Sequence, residues 1–322
     1  LVELQYRLLA PEEASGLVDF VRNLYGSTYP NSLFYDADEL QQQLKAGRLC
    51  SAVAETPEGK IVGHFGTYYE YTGDVTADGT TGMVDPDFRG EGVMRHLARP
   101  MFARYKADKL AGLHLYAVTL HSITQRQSVD GGAVVTGVLL QDWPGDYEIS
   151  GFAGNLGLRR MPVVTLFMPL FPDSMPAREV FCPADWQELL KSRYEAIGAR
   201  RDLAGPGAGG VAARSRCETL LKPAQGAAAL RFHRVGRDWE ECLEAFLGEA
   251  ASFPARYLDI SLTEAAALAL IDHVREAGWY FGALLPERAG TDFCRLQYGL
   301  PDEDWSVAHI VEEARPVLDL LK

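Results

Sequence analysis

The chain has 322 residues, 47% hydrophobic and 23% charged, which is globular composition at a length that suits two domains. Its formal charge of −13 argues against a general nucleic-acid or anionic-membrane surface, while leaving room for one local cationic notch. No apolar run approaches the ~20 residues that span a bilayer, and no basic-then-apolar signal opens the chain. In chain order, "LQYRLLA" (Leu4 to Ala10) reads as a strand. A helix follows from Pro11 to its stop at Gly26, then a second from Asp36, a capping residue, to Gly47. "CSAVAE" and "IVGHFGTYYEY" read as strands joined by the turn "TPEGK", and "TTGMVDP" (Thr80 to Pro86) as a further strand. "GVMRHLARPMFARYKADKLAG" has helical periodicity with a kink expected at Pro100. Then come the strand "LHLYAVTL", the short helix "HSITQRQSVDGG", and the strands "AVVTGVLL" and "MPVVTLFMPL". Between those last two, Trp143 to Gly157 forms a long polar and aromatic loop.

The order is that of an α/β (α+β) fold with a mixed, mostly antiparallel sheet flanked by helices, not a doubly wound parallel sheet. Near Phe171 the chain turns proline-rich, and "FPDSMPAREVFCP" is expected as a linker. The domains are therefore set at 1–171 and 172–322, the second a smaller α/β unit. It holds the helix "ADWQELLKSRYEAIGARR", a loop at Gly205 to Gly210, strands around Cys217 and Leu230, and a helix from Asp238 to Ala251. "RYLDISLTEAAALALIDHVREAGWYFGALLP" then reads strand, helix, glycine, strand, the order already met from Leu113 to Leu140, and "DFCRLQYGL" closes it. This is the pattern of a weak internal repeat of supersecondary structure, or of a unit that two α/β domains share by chance.

The stretch with most chemical content is "VDPDFRGEGVMRHL", Val84 to Leu97, where a strand hands over to a helix through Arg-Gly-Glu-Gly. Diphosphate binding to a peptide needs several amide N–H groups aimed at one point with no side chain in the way. A glycine-rich loop opening a helix supplies both, and the helix dipole adds attraction. Gly90 and Gly92 remove Cβ atoms at the point of approach, and Arg89 and Arg95 are placed to meet outer phosphate charge. No Gly-Lys-Ser/Thr follows, which excludes a Walker-type loop. Arg95 stands where a dinucleotide fingerprint would have its third glycine.

This stretch resembles the central motif of the GNAT superfamily of acyl-CoA N-acyltransferases, Arg/Gln-x-x-Gly-x-Gly/Ala. Arg89, Gly90, Glu91 and Gly92 through Met94 fill the loop, and Met94 departs from the small residue usual at its position. The resemblance covers residues up to about Phe171. It implies an acetyl-CoA or related acyl-CoA co-substrate and direct transfer to a primary amine on a small molecule or peptide. Backbone groups of Met83 and Val84 would bind the pantetheine arm, and the amides of residues 89 to 94 would hold the diphosphate. The next strand would splay away to seat the thioester, with a nearby N–H for the oxyanion. The second domain would be a degenerate GNAT-like copy without a cradle, able to shape the acceptor pocket or to dimerise.

Proton transfer is harder to assign. The Asn and Tyr common in the family are replaced by His121 and Ser128 when its Gly-Phe pair is aligned with Gly132-Ala133. His121 is suited to a cofactor hydrogen bond or a proton shuttle, against a helix-capping role, and Ser128 is a poor acid. His64 lies on the strand expected to line the acceptor side, as a base or as a satisfied structural histidine. Tyr116 is a further candidate acid, or a core tyrosine. The missing Tyr and the departure at Met94 motivate a second expectation, an acyl-CoA-binding sensor without turnover. The five cysteines are scattered, odd in number and never at metal-ligand spacing, so reduced thiols in a cytoplasm and no metal are expected. The opening residue is Leu1, which raises a trimmed leader or an upstream domain as expectations.

Overall fold

The computed structural model describes residues 3–29, 31–71, 73–146, 156–205, 210–300, 302 and 304–321. Most of the loop expected between Trp143 and Gly157, and the centre of the Gly205–Gly210 loop, lie outside the described residues.

After β1 (Gln5–Leu8), the helix α1 (Ala14–Tyr25) turns Leu17, Val18, Phe20, Val21 and Leu24 inward and stops at Gly26. The Asp36 carboxylate caps α2 (Ala37–Lys45), accepting from the amides of Asp38 and Glu39 at 3.0 Å. β2 (Leu49–Glu55), β3 (Ile61–Tyr68) and β4 (Thr76–Val84) form an antiparallel meander. β4 starts four residues earlier than the apolar pattern suggested. Its first residues, "TADG", are poor strand formers that strand pairing holds in place. The helix α3 (Val93–Asp108) lies across the sheet through Val93, Leu97, Met101 and Tyr105, one residue per turn, and Pro100 sits inside it without ending it. β5 (Gly112–Val118), α4 (Ile123–Asp130), β6 (Val134–Pro144) and β7 (Arg160–Pro169) complete the first half.

The expected linker contains a strand. β8 (Arg178–Phe181) pairs in parallel with β9 (Arg201–Ala204), the two joined through α5 (Gln187–Ile197). Gly198, left-handed at φ 75°, stops α5, so the residues after it are strand instead of helix. β10 (Arg216–Lys222), β11 (Ala227–Arg234), α6 (Trp239–Glu249), β12 (Ala255–Ser261), α7 (Ala266–Glu276), β13 (Trp279–Arg288) and β14 (Thr291–Tyr298) follow, with a last helical turn α8 (Arg315–Leu318). Ala289 and Gly290, both at positive φ, turn β13 into β14 as the expected hairpin.

All strands but β8 and β9 join one twelve-stranded sheet in the order β1-β2-β3-β4-β5-β7-β6-β13-β14-β12-β11-β10. Read from either end, the two halves share a pattern. In the first half β4 and β5 are parallel across α3, and β7 lies between β5 and β6. In the second half β11 and β12 are parallel across α6, and β14 lies between β12 and β13. The halves meet at β6 and β13. Arginine–carboxylate pairs cross between them: Arg231 and Arg288 both reach Glu70, and Arg288 reaches Asp78.

Candidate functional site

Beyond Val84, the Asp85 carboxylate accepts from the Asp87 amide at 3.1 Å and shapes the turn Pro86–Phe88. Gly90 and Gly92 then adopt φ of 84° and 74°, where a side chain is strained, and a Cβ on either would meet nothing within 4 Å. Gly92 caps α3, so the N–H groups of Val93, Met94 and Arg95 have no acceptor within their own helix. The loop is thus a bare-backbone seat at the positive end of a four-turn helix. Arg89 is drawn in beside it, its Nε donating to the Val84 carbonyl at 3.2 Å. The matching helix start in the second half is crowded by the loop before it. Asp238, the residue preceding α6, turns its carboxylate to that loop and accepts from the Ser215 amide at 2.6 Å. A Cβ on Gly236 would run into the Arg214–Ser215 backbone.

The strand leading to this seat opens a cleft. β4 and β5 pair only from Thr76–Gly112 to Gly79–Leu115, and beyond Gly79 no described strand pairs with that edge of β4. β11 and β12 by contrast stay paired from Ala227–Ala255 to Phe232–Ile260. At the opening β4 carries one extra residue against β3, between the pairs Gly66–Thr80 and His64–Met83. Thr81 sits in this bulge at φ 55°. His64 fixes it from behind: Nδ1 donates to the Thr81 carbonyl at 2.8 Å, which leaves Nε2 to accept from Ser51 Oγ at 3.0 Å. Tyr29, which the sequence reading passed over, bonds to the side chains of Thr80 and Thr81. Met94 extends from the first turn of α3 to Gly82, so its thioether lies over β4 beside the opening.

At the closed end of the cleft lies a polar recess. Arg288, the last residue of β13, reaches across to Asp78 on β4, to Glu70 at 3.1 Å and to the Tyr116 hydroxyl at 3.1 Å. Burial would raise the Asp78 carboxyl, but Arg288 outweighs it and holds the group below its ordinary range. Burial also pushes the Tyr116 phenol up to about 12, against the pull of Arg288. His114 Nε2 and Arg288 Nε are buried beneath without a protein partner, so the recess suits a polar group or an ordered water.

The expected site residues fall at different levels of this cleft. Arg89 to Arg95 form the seat, and Met83 and Val84 lie on the part of β4 beyond its pairing with β5. His121 is half-buried beyond the end of β5; burial lowers its pKa, and nearby Arg89 and His309 lower it further. Ser128 spends its hydroxyl proton on the Thr124 carbonyl of its own helix, at 2.8 Å. His64 is fully buried and both its nitrogens are engaged, so it supports the bulge and does not line the acceptor side. Tyr116 is the one expected acid in this recess. Asp78 and Arg288 were passed over because nothing in their local sequence announces them. A surface cavity of about 590 Å³ lies elsewhere, on the α1 face, where Arg7 pairs with Glu13 and Glu55 and Lys60 with Asp85.

No protein-family model and no curated protein matches the chain. Among solved structures, it is similar to a spermidine N-acetyltransferase SpeG mutant from Vibrio cholerae, at 17% identity over 52% of this chain and 93% of that one, TM-score 0.38. It is also similar to YncA, a putative acetyltransferase from Salmonella typhimurium solved with acetyl-CoA (15% identity, 54% and 98% covered, TM-score 0.41). A ribosomal-protein-S5-alanine acetyltransferase from Vibrio fischeri is similar at 14% identity, with 55% and 97% covered and TM-score 0.41. Likeness at these values says nothing about activity. On its own strand order, bulge, splayed strands and glycine seat, the first half of this chain has a GNAT-type fold.

Proposed function

We propose that the first half binds an acyl-CoA and transfers its acetyl or other short acyl group to a primary amine. The observation that carries this reading is the splay of β4 from β5 leading directly to the open seat at Gly90 and Gly92. The amides of residues 89 to 95 would hold the diphosphate, and the unpaired edge of β4 at Met83 and Val84 the pantetheine arm. The amine nitrogen attacks the thioester carbon, the C–S bond breaks, and the thiol leaves with a proton. The bulged backbone around Thr81 is placed to offer an N–H to the developing oxyanion.

In this reading residues 172–322 are a degenerate copy of the same unit. Their matching strand order supports it, and the crowded approach at Gly236 and the closed β11–β12 pair argue against a second CoA site. The sensor reading keeps one specific observation in its favour, the commitment of the Ser128 proton to its own helix. Two measurements decide. Calorimetry should find CoA binding to wild type and its loss in Gly92→Trp; equal affinity would end the cradle reading. Thiol release from acetyl-CoA across a panel of primary amines should find a substrate. Tight CoA binding with no release on any amine would leave the sensor.

A further inference from the structure

The second half places one side chain at the opening of the first. Arg288 has only 4% of its side chain accessible, and its guanidinium spans Asp78, Glu70 and Tyr116. A guanidinium only donates, so the Tyr116 oxygen must be the acceptor in their 3.1 Å bond. The phenolic proton is then left for another acceptor, and among the described residues none takes it. Tyr116 is the first residue of β5 past Leu115, where pairing with β4 ends, so its ring stands at the base of the splay. It is only half-buried, and the Asp78 side chain beside it keeps 24% of its surface accessible. A fixed phenol with an uncommitted proton at the edge of an accessible recess is what a proton donor requires.

We propose that Arg288 is a positioning residue for acyl transfer, holding Tyr116 so that its phenolic proton goes to the departing thiolate. This rests on the transferase reading above. In the step, the amine nitrogen bonds to the acyl carbon while the C–S bond breaks and its electron pair leaves on sulfur. The sulfur takes the Tyr116 proton, the guanidinium neutralises the phenolate, and the proton shed by the amine passes through solvent to restore the phenol. Amine and thioester become amide and thiol, and the enzyme is unchanged. The second half, with no seat of its own, thereby completes the site of the first.

The test is a double-mutant cycle on the full chain, with acetyl-CoA, the best amine of the panel, and calorimetry with CoA. Tyr116→Phe should lower kcat by about 100-fold, with CoA affinity and KM held within about twofold. Arg288→Gln should fall as far, and Arg288→Lys, which keeps a donor, should recover part of the loss. Adding Arg288→Gln to Tyr116→Phe should cost little more, because the arginine acts through the phenol. A Tyr116→Phe enzyme with wild-type kcat overturns the proposal, and so do losses that multiply in the double variant. If Arg288→Gln does not fold, the cycle of Tyr116→Phe with Arg288→Lys decides by the same criterion. A wild type that binds no CoA would instead overturn the transferase reading itself.

Discussion

His64 gives the support behind the β4 bulge a measurable signature. Its ring is fully buried with both nitrogens engaged, and burial lowers its pKa from 6.5 to about 4, against a smaller upward pull from the Thr81 carbonyl. The neutral ring is therefore the native form. A pKa depressed by folding contributes stability that is complete above the unfolded value, begins to fade below pH 6.5, and is gone once pH falls through about 4. The whole span corresponds to roughly 3 kcal/mol, of which about 2 kcal/mol is lost between pH 7.5 and pH 5. His64→Gln is the matched perturbation, because an amide can still donate to the Thr81 carbonyl and accept from Ser51 but cannot charge. Urea unfolding of both proteins from pH 7.5 to pH 5 isolates this one group, since every other titration is shared. Wild type should lose about 2 kcal/mol more than the variant, or roughly 3 °C in melting temperature for a chain of this length. Parallel stability curves for the two proteins would refute the reasoning.

The two helix starts should respond unequally to alanine. Gly92→Ala meets open space and should cost about 1 kcal/mol for its left-handed φ while weakening CoA binding; Gly236→Ala, pressed into the Arg214–Ser215 backbone, should destabilise by several kcal/mol, and equal melting temperatures would contradict this. Gln125 is buried, donates to the carbonyls of Val118 and His309, and accepts from the Val311 amide. Gln125→Leu would leave those groups unpaired, so urea unfolding should show a loss of about 3 kcal/mol or more, and limited proteolysis should cut the tail first. Native thiol titration at pH 8 should show Cys50, Cys182 and Cys294 protected and Cys217 reacting slowly. Its thiol is pushed up to about 11, by burial first and then by its bond to Cys242. Prompt reaction of three or more thiols would refute the packing.

What could be read from the sequence was what is local in it. The seat from Arg89 to Arg95 depends on consecutive residues, two glycines without Cβ atoms and a helix that starts at once, so its chemistry appears in one short stretch. The hairpin at Gly290 and the cap at Asp36 were legible for the same reason. The start of β4 was not, because "TADG" becomes strand only through its pairing with β3 and β5. β8 hid in a proline-rich stretch since its partner β9 lies beyond a whole helix. His64 shows the limit of residue type as a guide: a histidine on the expected strand is chemically suitable until burial and two hydrogen bonds assign it to the bulge. The proton-transfer side is illegible for a stronger reason, because Tyr116 and Arg288 are 172 positions apart and share no motif.

That distance is bridged by the way the two half-sheets join. β6 and β13 meet at a single aligned pair, Gly137 and Ala283, and a side chain on Gly137 would run into the Gly282 carbonyl. Where the strands curl apart, the buried Gln297 amide replaces the missing rungs. It donates to the Val138 carbonyl at 3.0 Å and accepts from the Leu140 amide at 2.8 Å. Open twisted sheets of more than ~10 strands usually curl or split, and edge-to-edge joining with a curl also covers two edges that would otherwise invite pairing. The curl carries the β13–β14 hairpin back over β4, where Thr76 Oγ1 donates to the Glu287 carbonyl at 3.2 Å and Arg288 reaches Asp78. The first half cut at Phe171 would therefore lose more than a neighbour. It would expose the β6 edge and leave Asp78 and Glu70 without their guanidinium partner. The geometry that makes one sheet of two halves is the same geometry that brings Arg288 to the opening, so the stability of the first half and the completeness of its site depend on one contact.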